Sequence, residues 1–226
     1  MTKVKNWLLD HHAVYLIYVP IYVICFEFLE KRVTTFHIIN IAFDSKLPFL
    51  EIFVVPYMFW FVFIFAGGLY FFLKEPDNFK PLMKNLILGM SVSLVICFVY
   101  PNGLTIRPTV FPRDNIFTDV VKWLYATDTP TNVFPSVHVA NSLAMFAAIW
   151  RSEKLTRKHR GIQFASLVVT ILIILSTMLI KQHSVLDVTG ALIMGYVNYA
   201  IVYGHWPKIS FQRKEKLVPV SSKSHL

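Results

Sequence analysis

Residues 161–180 read GIQFASLVVTILIILSTMLI, twenty consecutive residues without a charged side chain. A helix needs about 20 predominantly apolar residues to cross the hydrocarbon core of a bilayer. Further hydrophobic runs fall at 13–29, 49–73, 83–100, 136–150 and 184–203. The run at 136–150 is short, as expected if the N-terminal end of its helix lies in a water-filled pocket. The pattern predicts an all-α polytopic membrane protein, a bundle of six transmembrane helices.

The composition supports this fold class. The chain is 55% hydrophobic and 15% charged, whereas a soluble domain carries about 25% charged residues. We expect one domain over residues 1–206 and a basic, disordered cytoplasmic tail over 207–226. The net charge of +9 could indicate nucleic-acid binding, but the cations flank helix ends without a recognition fold. They favour membrane anchoring.

The distribution of Lys and Arg predicts the orientation. Fifteen of the 22 lie in the N-terminus, the 74–84 and 151–160 connections and the C-terminal tail. The positive-inside rule then places both termini in the cytoplasm and the 101–135 loop outside. Within that loop, residues 116–126 have an amphipathic pattern that predicts a short interfacial helix. We expect a multi-pass protein of a bacterial plasma membrane.

Two histidines and an aspartate stand at the ends of apolar runs, where ionisable groups are rare without a function. His183 and Asp187 are four residues apart, so they share a helix face if the sixth helix begins by then. The carboxylate could accept the Nδ1 proton of the imidazole and leave Nε2 as nucleophile or base. Alternatively, Ser184-x-x-Asp187 could be a helix capping box. The two interpretations are compatible.

His138 follows Ser136, a plausible N-cap of the fourth helix. Unpaired N–H groups at a helix N-terminus suit a phosphate, although His138 could instead face the headgroups. Arg107 and Arg113 lie in the same outward loop, and Lys181 precedes His183 by two residues. Each cation could grip phosphate oxygens, or be a solvated or snorkelling side chain.

These residues resemble the three motifs of the type 2 phosphatidic acid phosphatase (PAP2) superfamily. The matching segments are Arg107-Pro108, Pro135-Ser136-Val137-His138 and Ser176-Thr177 followed by His183 and Asp187. The resemblance implies that His183 attacks phosphorus, Asp187 orients it and His138 protonates the leaving group. It also implies which groups hold the phosphoryl oxygens: Arg107, Ser136 and the neighbouring amide at Val137. No metal and no cofactor are expected.

The sequence departs from the family pattern at three positions. Tyr100 stands where the first motif has lysine, Thr177 where the third has arginine, and Val137 where the second has glycine. We expect Lys181, or secondly Arg113, to replace the missing cations. The pattern is similar to the branch that contains inositol phosphorylceramide synthase-like proteins.

The predicted function is therefore metal-independent hydrolysis of a lipid phosphate monoester or pyrophosphate at the outer membrane face. The substrate would enter from the bilayer, and no nucleic acid would be involved. One alternative is transfer of a phosphate-bearing headgroup to an alcohol of a second lipid. Another is a non-catalytic lipid-binding or transport relative, which the lost lysine and arginine would favour.

Overall fold

The computed structural model describes residues 2–158 and 160–204, and within them the chain is mainly helical. The predicted tail at 207–226 lies outside the described residues. Short 3-10 turns at Ala13–Ile17 and Glu51–Phe53 lead into the second and third helices. The elements are α1 (Thr2–Asp10), α2 (Tyr18–Arg32), β1 (His37–Ile38), α3 (Val54–Lys74), α4 (Pro76–Val99), β2 (Asn102–Gly103), α5 (Ile116–Thr127), α6 (Val137–Arg151), α7 (Glu153–Lys158), α8 (Arg160–Leu179) and α9 (Val185–Tyr203).

Five helical segments of the described chain are long and apolar enough to cross a membrane, which indicates a membrane protein. They are Ala13–Arg32, Glu51–Lys74, Pro76–Val99, Gly161–Leu179 and Val185–Tyr203. Each corresponds to a predicted run. The remaining run forms α6, which has 15 residues and is shorter than the roughly 17–25 that a span requires. The prediction of six spans is therefore not confirmed.

Helix α6 lies at the centre of the bundle and packs against α3, α4, α8 and α9. Nine of its residues are buried, four of them alanine, and small side chains let helix backbones approach closely. On α3, a Cβ at Gly67 would lie 2.5 Å from Sδ of Met145. The close approach of α3 therefore requires glycine there.

The loops at the α6 N-terminal end form a small ordered layer. Strands β1 and β2 pair in parallel, with His37 opposite Asn102. Helix α5 begins where the amphipathic pattern predicted, because the Asn115 side chain accepts from the amides of Phe117 and Thr118. The apolar face of α5 packs against α3. Its location at a membrane interface stays a prediction.

Candidate active site

His183 and Asp187 lie together at the start of α9. The Nδ1–H of His183 donates to Oδ2 of Asp187 at 3.3 Å, and the same oxygen accepts from the Ser184 amide at 2.8 Å. Ser184 and Asp187 complete a capping box. Both predicted interpretations therefore hold at once, since one carboxylate caps the helix and holds the imidazole. This leaves Nε2 of His183 unused by that pairing.

His138 occupies the first turn of α6. Ser136 is the N-cap and accepts from the Val139 amide at 3.4 Å. The His138 ring packs between Tyr57, at a centroid distance of 4.7 Å, and Trp60, at 4.5 Å. These aromatic contacts fix the ring, so its orientation is determined by α3 as well as by α6.

The two histidine motifs meet across one cavity. The ring centroids of His138 and His183 are 5.6 Å apart, and both residues line a cavity of about 530 Å³. The Ser136 amide donates to the Asp187 carbonyl at 3.3 Å, which ties the α6 N-terminus to α9. Val137 also lines the cavity. A reacting group held between the rings would contact both.

Arg107 is connected to this cavity through hydrogen bonds to two residues of its wall, Asp128 and Gln182. Its Nη1 donates to the carbonyl oxygens of Asp128 at 2.8 Å and Tyr125 at 3.4 Å, and its Nη2 donates to the Gln182 side chain. The guanidinium lies 4.4 Å from the centroid of the Tyr125 ring. Burial lowers the pKa of Arg107 from its usual value. Gln182 thus connects Arg107 to the turn that carries His183.

The other two predicted cations are used elsewhere. Lys181 has a left-handed backbone (φ 56°), and its Nζ donates to the carbonyl oxygens of Asp44 and Leu47, each at 2.7 Å. Burial lowers its pKa. Arg113 pairs with Glu51, its Nε lying 2.5 Å from Oε1. Neither is among the residues that line the cavity.

The two other departures from the family pattern also have structural partners. Tyr100 stacks on His37 with ring centroids 4.2 Å apart. The carbonyl of Thr177 accepts from the amides of Gln182 and His183, both at 2.9 Å. Main-chain hydrogen bonds therefore close the turn where the family motif has an arginine.

Sequence reasoning missed Asp44, a buried residue in the loop before α3. One carboxylate oxygen accepts from the Ser184 hydroxyl and the Ile41 amide, both at 2.7 Å, and the other from the Val185 amide at 2.8 Å. The Asp44 carbonyl also accepts from Lys181. Asp44 therefore binds residues on both sides of His183 in the sequence, Lys181 before it and Ser184 and Val185 after it. No local pattern indicates this, because the partners lie about 140 residues away in sequence.

Sequence reasoning also missed the polar groups of the cavity wall, Asp128 and Gln182. Nε2 of Gln182 donates to Oδ2 of Asp128 at 3.1 Å. Burial raises the pKa of Asp128, and the positive charge of Arg107 opposes that shift. Asn102 orders the chain just beyond, because its Oδ1 accepts from the amides at 133 and 134.

Comparison with known proteins gives one match. The sequence model of the PAP2 superfamily matches residues 85–210, more than half of the chain. No curated protein matches, and no solved structure does. The matched region contains Arg107, Ser136, His138, His183 and Asp187, while Asp44 precedes it. The chain therefore belongs to the PAP2 superfamily, whose general activity is that of a phosphoesterase-type hydrolase.

Proposed function

We propose that this protein hydrolyses a lipid phosphate monoester or pyrophosphate through a phosphohistidine intermediate at the outer face of the membrane. The observation that carries the proposal is the pair of imidazoles across one cavity. His183 is held through Nδ1 by Asp187, and its ring lies 5.6 Å from that of His138. A nucleophile oriented by a carboxylate and a facing acid is the arrangement that phosphoryl transfer requires.

In the first step, Nε2 of His183 attacks phosphorus while the bond from phosphorus to the lipid oxygen breaks. The electron pair leaves on that oxygen, which takes a proton from His138. In the second step, His138 removes a proton from water as the water oxygen attacks phosphorus. The P–N bond then breaks, its electron pair returns to His183, and phosphate is released. Asp187 stabilises the cationic ring of His183 in both steps.

The cavity walls suit a substrate whose chains remain in the bilayer. Apolar and aromatic side chains of three helices contribute to the lining: Tyr22 and Phe26 of α2, Met58 and Phe61 of α3, and Met90 of α4. Hydrocarbon chains lose no hydrogen bonds against such walls. The phosphate would contact the imidazoles and Val137, which line the cavity. Arg107 and Ser136 are its further proposed ligands; neither is among the lining residues, but Arg107 is joined to the wall through Gln182 and Ser136 is the N-cap of α6.

A second candidate function is transfer of the phosphoryl group to an alcohol instead of water. Two polar residues of the cavity wall, Asp128 and Asn132, favour it because neither is needed to hold a phosphate. A phosphate-containing cavity with additional hydrogen-bonding groups can accommodate a hydroxyl-bearing acceptor. The intermediate on His183 would be the same, and only the second step would differ.

The decisive experiment uses the purified full-length protein in detergent with EDTA present. Short-chain phosphatidic acid labelled with ³²P should yield free phosphate and, after a rapid quench, an acid-labile phosphoenzyme. His183→Gln should lose both signals. His11→Gln, just after α1, is the matched control and should retain both. Equal phosphate release by wild type and His183→Gln would contradict the proposal.

Metal independence is part of the proposal, and EDTA tests it directly. Among the described residues, no group of three or more His, Cys, Asp or Glu side chains could hold a metal ion. The proposed stabilisation of the developing charge comes from fixed donors and a guanidinium. Loss of phosphate release in EDTA that returns with added Mg²⁺ would contradict this part.

A further inference from the structure

The segment from Asp128 to Asn132, between α5 and α6, contributes the most polar part of the cavity wall. Asp128, Thr131 and Asn132 line the same cavity as His138 and His183. The segment is firmly held, because the Asn132 amide donates to the Asn102 carbonyl at 2.7 Å. Its side chains are therefore preorganised beside the two imidazoles.

Only one oxygen of the Asp128 carboxylate accepts a hydrogen bond from the described residues. Oδ2 accepts from Gln182, which follows Lys181 and directly precedes His183, and the Asp128 carbonyl accepts from Arg107. The described residues give Oδ1 no hydrogen-bond donor. The carboxylate is thus held in position by its neighbours with one oxygen still able to accept a hydrogen bond.

Asn132 is buried, with only 7% of its surface exposed. Neither Oδ1 nor Nδ2 of its side chain has a hydrogen-bond partner within the described residues. Leaving a buried polar group unpaired costs about 1–3 kcal/mol, so such groups in native proteins call for an explanation. An amide without a partner in the wall of a ligand cavity is explained by a ligand that both donates and accepts.

The charge of Asp128 disfavours phosphate oxygens as that ligand. Within the described residues, Arg107 donates to the Asp128 carbonyl and to Gln182, and not to the Asp128 carboxylate. A carboxylate repels a phosphate anion, since like charges in a low-dielectric site disfavour each other. A molecule with two O–H hydrogens, such as water or a polyol, satisfies both side chains, because one hydrogen is donated to Asp128 and an oxygen accepts from Nδ2 of Asn132.

We propose that Asp128 and Asn132 form the binding subsite for the hydroxyl group that attacks the phosphohistidine. The inference rests on the proposed function and deepens it by assigning the site of the second substrate. The hydroxyl can belong to water or to an alcohol, and the chemistry of recognition is the same for both. The subsite is distinct from the groups assigned to the phosphate.

The second step defines what the subsite does. The hydroxyl oxygen attacks phosphorus as its proton passes to His138, and the P–N bond to His183 breaks with its electron pair returning to the ring. Asp128 accepts a hydrogen bond from the second hydrogen of water, or from a second hydroxyl group of a polyol, and its own protonation does not change. The products are phosphate when water attacks, or a phosphate ester when an alcohol attacks.

The test uses the intact protein in detergent and measures formation and decay of the phosphoenzyme separately. Short-chain ³²P-phosphatidic acid is mixed with wild type or Asp128→Asn, and the phosphoenzyme is followed by rapid quench. The amide keeps an acceptor for Gln182 but removes the charge. Phosphoenzyme formation should stay within about twofold of wild type. Its decay should slow about ten- to a hundredfold, the rate factor of one hydrogen bond to a charged group.

A merely structural role predicts a different result. If Asp128 binds the attacking hydroxyl, Asp128→Asn should lower kcat and leave KM for the anionic substrate unchanged or lower, because a negative charge is removed. Damage to the fold would instead slow both formation and decay of the phosphoenzyme. Asn132→Gly removes the amide at a residue with left-handed backbone (φ 55°) and should also slow decay. Asp119→Asn, an exposed carboxylate of α5, is the matched control and should match wild type.

Added glycerol or myo-inositol distinguishes the two sources of the hydroxyl. A labelled phosphate ester identifies an alcohol acceptor, and free phosphate alone identifies water. In either case Asp128→Asn should lower the rate at which product forms from the phosphoenzyme. Unchanged phosphoenzyme decay, or equal slowing of formation and decay, overturns the subsite. Absence of phosphoenzyme and products from wild type instead overturns the proposed function.

Discussion

Asp44 offers the sharpest test of how the turn that carries His183 is held. Asp44→Asn preserves the shape of the side chain but leaves it only one acceptor oxygen. With that oxygen facing the Val185 amide, the Nδ2 group faces the Ile41 amide and the Ser184 hydroxyl. Oδ2 accepts from both groups at 2.7 Å in the wild type. The bond from the Ile41 amide is then lost, and the Ser184 hydroxyl can only accept from Nδ2, so its hydrogen bond to a charged carboxylate is lost as well.

The expected magnitude follows from these contacts. A hydrogen bond to a charged group contributes about 1.5–3 kcal/mol. The one from the Ser184 hydroxyl holds the turn directly, whereas the one from the Ile41 amide orders the loop that carries Asp44. The turn does not need to unfold to lose activity, since a misplacement of about 1 Å can cost about 100-fold in rate. We expect kcat for lipid phosphate hydrolysis to fall about 10- to 100-fold, with a smaller change in KM.

The assay is phosphate release by purified variants in detergent, with folding checked by gel filtration and circular dichroism. Lys46→Gln, an exposed residue of the same loop, is the control and should retain wild-type kcat. A double-mutant cycle with Ser184→Ala isolates the interaction, and we expect a coupling of about 0.5–3 kcal/mol for groups in direct contact. A fully folded Asp44→Asn variant with kcat within about twofold of wild type would refute the reasoning.

Three further predictions concern His138 as the general acid, the contact between Gly190 and Phe134, and the orientation of the protein in the membrane. His138→Ala should slow release of poor leaving groups such as simple alkyl alcohols by about 100-fold or more and of nitrophenol much less; a loss independent of leaving-group pKa would remove the acid role. Gly190→Val should abolish folding or activity, because even a Cβ there would lie 2.5 Å from the Phe134 ring; normal expression and rates would contradict this. Val110→Cys, at an 82% exposed position, should react in intact cells with a membrane-impermeant maleimide in a cysteine-free background; labelling only after lysis would invert the orientation.

The fold was largely predictable because hydrophobic runs report directly on membrane helices. Five runs correspond to spanning helices, and the residue range of α5 follows from its amphipathic pattern and its Asn115 cap. The run at 136–150, the fourth in chain order, is the one whose helix is too short to be counted as a span. Its apolar composition reflects burial within the protein on nearly every side of α6, which hydropathy does not distinguish from contact with lipid.

The candidate site was predictable where its residues are close in sequence. His183 and Asp187 are one helical turn apart, and Ser136 precedes His138 by two residues, so local rules apply to both pairs. The partners of Lys181 could not be found this way. Its contact with the Asp44 carbonyl joins residues 137 apart in sequence, and nothing in a basic residue before a histidine indicates whether it points to a substrate or to a main-chain carbonyl.

The contacts of the turn that carries His183 explain the absence of the motif cations better than the needs of phosphate binding do. Where the family motif has an arginine, the Thr177 carbonyl accepts from two amides of the turn. Asp44 binds the turn from outside it, because its carboxylate accepts from the Ser184 hydroxyl and its carbonyl accepts from Nζ of Lys181. The turn is therefore held by neutral and paired groups that leave no net positive charge in the cavity. Arg107, linked to the turn through Gln182, becomes the nearest guanidinium. Since Asp128 lies beside it, the balance of charge favours a neutral group entering next to the phosphate over a second anion.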